Sequence, residues 1–189
     1  MSIVLASGSP RRLELLRMIG ITDFKVIVDT SDEDITPGLS PEEQVKTLAL
    51  QKARNVARSC DKDDLIIAAD TLVYLEGEPL GKPDSPLGAE SMLRKLSGRV
   101  HSVYTGVTLS KGDTDLTAAE RTDVYFRKLS DKEICAYVKT GEPMDKAGSY
   151  AAQGYAAVFI ERIEGEFFNI IGFPLCRLVL MLKDFGVTL

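Results

Sequence analysis

Two adjacent arginines stand at the start of a predicted helix, where cations are unusual. The hexapeptide SGSPRR occupies residues 7–12, and its serine followed by proline is typical of a helix N-cap and first helical position. A helix N-terminus carries partial positive charge, so its first turn normally favours acids by roughly 0.3–1 kcal/mol each. Arg11 and Arg12, together with the hydroxyls of Ser7 and Ser9, therefore predict a pocket for an anion such as phosphate. The alternative is that both arginines are solvated.

Two more charged residues interrupt apolar patterns. Lys52 falls inside the apolar stripe of the helix predicted over residues 40–59, so its ammonium either extends along its stem to solvent or reaches a buried anion. Asp70 closes the apolar run at residues 65–69, at the strand end where open α/β sheets bind ligands. A carboxylate there could act as a general base or a metal ligand, or it could only cap backbone amides in a turn.

Weaker signals come from an acidic loop, a rigid bend and a single histidine. Glu33, within the acidic residues 32–34, could give a hard cation a second carboxylate, although such a loop could equally be a solvated one. Lys82, between a glycine and a proline, is a candidate phosphate contact or an ordinary surface lysine; its surroundings lack the spacing of a P-loop. His101 has no Cys or Asp at metal-ligand spacing, so it is predicted to be structural.

The elements that must position these residues alternate between strand and helix patterns. Serines followed by glutamate three residues later predict capped helix starts near residues 40 and 130. A long antiparallel strand pair is predicted in the second half, so the fold class is α/β, with a mixed twisted sheet flanked by helices in one domain over residues 1–189. The predicted strands cover residues 3–6, 24–28, 65–69, 72–75, 100–109, 117–126 and 157–160, and the helices cover 10–19, 40–59, 86–96, 130–140 and 174–185.

Composition narrows the class of protein further. The 189 residues have a formal net charge of −5, which argues against a general nucleic-acid binder. Three separated cysteines without a CxxC pair indicate reduced thiols and a cytoplasmic location. The N-terminal apolar run is too short for a signal peptide, and no run approaches the roughly 18 apolar residues of a membrane span.

A set of short motifs runs in order along the chain: the hexapeptide at 7–12, Gln51-Lys52-Ala53, Ala69-Asp70-Thr71, Gly81-Lys82-Pro83, Leu96-Ser97-Gly98-Arg99, His101-Ser102-Val103, the segment from Glu142 to Gly148, and Gly172-Phe173-Pro174-Leu175. Taken together, these motifs resemble the Maf family of nucleotide pyrophosphatases across essentially the whole chain. The resemblance implies an elongated fold similar to inosine triphosphatases, with two lobes around a central cleft, often as a homodimer. It also implies a divalent metal, Mg²⁺ or Mn²⁺, and hydrolysis of a nucleoside triphosphate to monophosphate and pyrophosphate.

Carried over by position, the resemblance also assigns roles. Asp70 is implied to be the proton acceptor, with Glu33 beside it at the metal. Arg11, Thr71 and Gln153 match the branch that acts on dTTP, UTP and modified uridine nucleotides, and an amide at Gln153 can satisfy a donor and an acceptor on a pyrimidine edge. The phosphate-handling set is implied to be Ser9, Arg12, Lys52 and Lys82.

One departure and two alternatives accompany this prediction. The loop before Gln153 reads Ala151-Ala152 where the family usually has Gly-Ile, so the base preference could be shifted. A pyrophosphatase of the same fold with another preferred base is one alternative. A nucleotide-binding regulator of cell division with little hydrolysis is the other, although a pure binder has no need of a base at the reacting phosphate.

Overall fold

The computed structural model describes residues 1–31 and 35–189. The strands are β1 (Ile3–Leu5), β2 (Lys25–Val26), β3 (Leu65–Leu75), β4 (Glu78–Leu80), β5 (Val100–Lys111), β6 (Thr114–Phe126) and β7 (Ile160–Glu164). The helices are α1 (Pro10–Met18), α2 (Pro41–Ala57), α3 (Pro86–Leu96), α4 (Asp131–Val138), α5 (Phe167–Ile171) and α6 (Leu175–Asp184), with 3-10 segments at Glu142–Asp145, Ala147–Ser149 and Tyr155–Phe159.

The strands form one mixed sheet, as the sequence predicted. Their order is β2-β1-β3-β5-β6-β7, and β4 pairs with β3 outside this path. Strand β1 is parallel to both β2 and β3, whereas β3 with β4 and β6 with β7 are antiparallel. The parallel pairs among β1, β2 and β3, together with the antiparallel pairs, match the α/β class expected from the alternation of elements.

The chain divides into two compact units. The first contains residues 1–70, 105–120 and 172–189, and the second contains residues 71–104 and 121–171. A buried cluster in the first unit joins β1, β3 and α2 through small and branched apolar side chains, including Val4, Ala53 and Ile66. The second unit has its own core, in which Leu93, Phe126 and Ile134 are buried. Whether these units act as one domain, as the sequence predicted, stays a prediction.

Local sequence signals explain where the helices begin. Ser40 and Ser130 each accept a hydrogen bond from the backbone of the glutamate three residues later, and that glutamate returns a bond to the serine backbone. Each such capping box satisfies otherwise unpaired helix donors and contributes about 1 kcal/mol. Proline at the first helical position marks the starts of α1, α2 and α3.

Helix α2 lies very close to strand β5 in the first unit. A Cβ built on Gly106 would stand 2.1 Å from the carbonyl oxygen of Val45 in the helix backbone. Glycine is therefore required at this position, because any side chain would push the helix away from the sheet. Since Lys52 lies two helical turns beyond Val45, this contact also sets the position of that lysine.

The structure corrects three of the predicted elements. Strand β3 does not end at Asp70 but continues to Leu75. The strand predicted at residues 157–160 is instead the 3-10 segment Tyr155–Phe159, and β7 follows it, because Ala156 and Phe159 bury one face of a helical turn. The pattern missed α5, which is too short to show a helical period.

None of the helices in the described ranges has the length and apolar character that crossing a bilayer requires.

Candidate active site

The turn between β1 and α1 brings together part of the predicted anion-binding set. Ser9 is the N-cap of α1, but its side chain makes no capping bond there. The first turn of the helix carries no acid, in contrast to α2 and α4, which each have acids there. Unlike α2 and α4, this N-terminus therefore presents its positive end without a capping side chain or an acid in its own first turn.

Arg12 joins this turn to a residue of the first unit that lies far away in the sequence. Its Nε donates to the carbonyl oxygen of Gly172 at 2.8 Å, and its Nη1 donates to the Ser7 hydroxyl at 3.1 Å. Ser7 is buried, and its hydroxyl also accepts from the Ser9 backbone at 3.3 Å. Arg12 is thus not a freely solvated arginine, while Arg11 beside it is half-buried.

Lys52 forms an ion pair with a buried carboxylate. Its ammonium does not simply extend to solvent but lies 2.5 Å from Asp70 Oδ1, and the two side chains are only 13% and 5% exposed. A carboxylate inside a mostly buried strand needs a counter-charge, because an unpaired buried ion is costly. The pairing with Lys52 explains why β3 can run through Asp70 instead of ending there.

Asp70 lies near the turn predicted to bind an anion, at residues 7–12, because of the sheet register. Strands β1 and β3 are parallel, with Leu5 opposite Ile67, and the Ala6 backbone N–H donates to the Ile67 carbonyl. The residues after Leu5 therefore start from the same end of the strand pair as Asp70. This carboxyl end of parallel strands is where α/β sheets bind ligands.

The second carboxylate oxygen of Asp70 is a candidate ligand for the predicted metal. Asp70 Oδ2 is buried and has no hydrogen-bond partner among the described residues. An oxygen left without a partner fits a hard cation, which prefers carboxylate ligands and keeps several waters. Glu33, the other predicted ligand, lies outside the described residues, and within those residues no group of three or more potential ligands gathers.

The remaining predicted residues belong to the second unit. Thr71 follows Asp70 in β3 and is half-buried, whereas Lys82 and Gln153 are both exposed. The backbone N–H of Gly148 donates to the carbonyl of Gly81, next to Lys82, at 3.1 Å. This bond ties the matching segment from Glu142 to Gly148 to the bend that carries Lys82.

His101 has the surroundings expected of a structural histidine. The ring is 2% exposed, its Nε2 is 2.8 Å from the Tyr150 hydroxyl, and Phe126 packs edge-on against it. Burial lowers the pKa of His101 to about 4, so the ring is neutral at physiological pH.

The fold and this site define an α/β protein with a basic turn and a buried lysine–carboxylate pair at the carboxyl end of parallel strands. The Ham1 protein of Staphylococcus aureus has a similar fold, with a TM-score of 0.53 and 19% identity over 97% of this chain and 99% of that one.

Sequence similarity identifies the family to which the chain belongs. The chain belongs to the Maf-like protein family, whose model matches residues 2–185. A dTTP/UTP pyrophosphatase of Caldicellulosiruptor bescii is 48% identical, covering 99% of this chain and 96% of the relative. One of Bacillus cereus is 46% identical, covering 98% and 96%.

Proposed function

We propose that this protein hydrolyses dTTP, UTP and modified pyrimidine nucleoside triphosphates to the monophosphate and pyrophosphate, and so removes unwanted nucleotides from the pool. The observation that carries the proposal is the Lys52–Asp70 pair, in which one buried carboxylate oxygen is held by a cation and the other has no partner among the described residues. Relatives that share nearly half of their residues with this chain bear the name of this activity.

The turn at residues 7–12 supplies binding for the triphosphate. The N-terminus of α1 offers backbone N–H groups and a partial positive charge, and Arg11 and the Ser9 hydroxyl stand at that end. The two bonds of Arg12 hold the turn in shape before any substrate arrives, which reduces the ordering cost of binding. Lys82 in the second unit is assigned to the same phosphates by the family resemblance.

Asp70 is the general base of the proposed reaction. The carboxylate accepts a proton from water as the water oxygen bonds to the α-phosphorus. The bond between that phosphorus and the oxygen bridging to the β-phosphorus breaks, and the electron pair leaves with pyrophosphate. Lys52 holds Asp70 in one orientation through Oδ1, and of the two lone pairs on Oδ2 one can take the proton while the other faces the cation.

Asp70 Oδ2, which has no hydrogen-bond partner among the described residues, also suits a divalent cation, Mg²⁺ or Mn²⁺. Asp70 would hold it together with Glu33, and when bound the cation would offset the negative charge of the phosphate oxygens. The cations of the chain, Lys52 and Lys82, would add to that offset at the leaving pyrophosphate.

Base preference is assigned to Arg11, Thr71 and Gln153. An amide can donate to one atom of a pyrimidine edge and accept from its neighbour, and Gln153 is exposed and available for such contacts. Ala151 and Ala152 precede it in a turn closed by a bond from the Gly154 N–H to the Ala151 carbonyl, at 3.1 Å.

A product assay tests the proposal. The purified protein is incubated with each of UTP, dTTP, CTP, ATP and GTP, with Mg²⁺ or Mn²⁺, and pyrophosphate is resolved from phosphate by ion exchange. We expect monophosphate and pyrophosphate, fastest from UTP and dTTP. Diphosphate and phosphate as products, or no turnover of any nucleotide, would overturn the proposal and favour a nucleotide-binding protein.

A further inference from the structure

The loop that carries Gln153 is fastened on both sides by two side chains that have no part in the proposed chemistry. Before Gln153, the backbone N–H of Ala151 donates to the Tyr137 hydroxyl at 3.2 Å. After it, the backbone N–H of Tyr155 donates to Glu142 Oε2 at 3.1 Å. The exposed Gln153 is therefore presented from a stretch of backbone that is held at each end.

Gly154 makes room for the carboxylate of Glu142. A Cβ at this position would lie 2.2–2.4 Å from the three carboxyl atoms of Glu142, which no side chain could tolerate without displacing that carboxylate. The glutamate thus rests directly on the loop backbone next to Gln153. Contact this close transmits the position of the carboxylate to the loop.

The surroundings of Glu142 indicate a functional role in addition to any contribution to stability. Its Oε1 is buried with no hydrogen-bond partner among the described residues. The carboxylate also lies beside the Tyr137 phenol, whose pKa is raised first by burial and then by a hydrogen bond to Glu142. A buried polar atom left without a partner is costly, and such cost is tolerated mainly where a functional geometry requires it.

We propose that Glu142 is a positioning residue for base recognition, because it fixes the backbone directly after Gln153 and so sets where the amide meets the pyrimidine edge. The inference rests on the proposed function, since Gln153 is the residue through which Glu142 acts. Fixing the loop before the substrate arrives reduces the entropy lost on binding, and the benefit is specific to bases that match the fixed amide.

The first test removes the carboxylate. Glu142→Ala is compared with Glu161→Ala, which removes an exposed carboxylate of the same unit. In Glu142→Ala, KM for UTP rises about tenfold, the effect of losing one charge-assisted hydrogen bond, while kcat stays within about threefold. The ratio of kcat/KM for UTP to that for CTP falls by a similar factor, and Glu161→Ala changes neither quantity.

Two further variants separate positioning from general damage. Glu142→Gln keeps an oxygen that can accept from Tyr155 N–H, so most of the base discrimination returns. Gly154→Ala displaces the carboxylate and gives the same loss of discrimination as Glu142→Ala. Because both changes disrupt one contact, the double variant is no worse than Glu142→Ala alone, and the two effects are not additive.

A readout independent of activity is amide hydrogen exchange. In Glu142→Ala the Tyr155 N–H exchanges at least about tenfold faster, while the amides of α3 keep their protection. Faster exchange with an unchanged UTP to CTP ratio overturns the inference, and so does additivity of the two substitutions. If the wild-type protein releases no pyrophosphate from UTP, the proposed function fails instead, and the exchange data still show whether Glu142 fastens the loop.

Discussion

Replacing Asp70 by asparagine changes the charge of the proposed base while keeping its shape. The asparagine oxygen can still accept from Lys52, so the side chain stays in place, but it can no longer take a proton from water. General-base catalysis contributes about 10²–10⁴ in rate, which equals roughly 3–5 kcal/mol of activation free energy. We therefore expect kcat for UTP to fall at least about 100-fold in Asp70→Asn.

The same change also affects stability and binding, and both must be measured. Lys52 is only 13% exposed, so its ammonium loses a counter-charge in a largely dry environment. Breaking a buried pair in this way costs about 3–5 kcal/mol of the free energy of unfolding. Binding of a triphosphate should be unchanged or tighter, because a negative charge has been removed from beside a polyanion.

Three measurements separate these effects. Pyrophosphate release gives kcat, calorimetric titration with a non-hydrolysable UTP analogue gives Kd, and urea unfolding gives stability. Asp64→Asn is the matched control, because Asp64 is also a buried aspartate of the first unit but accepts from the Ser2 backbone, at 3.0 Å. A kcat within tenfold of wild type in Asp70→Asn, with the protein folded, would refute the assignment of the base.

Three other changes probe the fold and the base preference. Burial holds the pKa of His101 at about 4, below its ordinary 6.5, so the stability present above pH 6.5 is lost as the pH falls towards 4, by about 3 kcal/mol. Urea unfolding at pH 7.5 and pH 4.5 should show this loss in the wild type and a smaller one in His101→Phe; equal losses would contradict it. Gly106→Ala forces α2 away from β5 and should lower the free energy of unfolding by about 1–3 kcal/mol or more, with kcat reduced because Lys52 moves; unchanged stability and kcat would argue against the close contact. Arg11→Trp combined with Gln153→Glu should shift the substrate profile away from pyrimidines, and an identical profile in the panel assay would remove these residues from base recognition.

Short-range signals account for much of the fold. The starts of α2 and α4 follow from their capping boxes, since both partners of each box lie within four residues of sequence. The apolar runs likewise located the buried strands β1 and β3. The ends of elements were harder to predict from the sequence. Strand β3, for example, runs through Asp70 because that carboxylate pairs with a lysine that lies 18 residues earlier, on a helix.

For the site, too, the sequence predicted features that depend on neighbouring residues but not contacts between residues far apart in the chain. The sequence identified Lys52 as anomalous but left its partner open, because a stripe on a helix does not show what it faces. The contact between Glu142 and the Tyr155 backbone spans 13 residues without any local motif, and only the folded chain reveals it. The family resemblance named the candidate site residues, whereas the structure shows what holds several of them.

The bond between Arg12 and Gly172 bears on how the protein is made. The two residues are 160 positions apart, and the first unit is assembled from three separate stretches of chain. At about 5–20 residues per second, a ribosome needs roughly 8–32 s to travel from one residue to the other. During that time the nascent SGSPRR turn has no Gly172 carbonyl to anchor it, so a partly synthesised chain lacks the turn geometry proposed to bind a triphosphate. The timing of translation thus separates the appearance of the basic turn from the completion of its binding geometry.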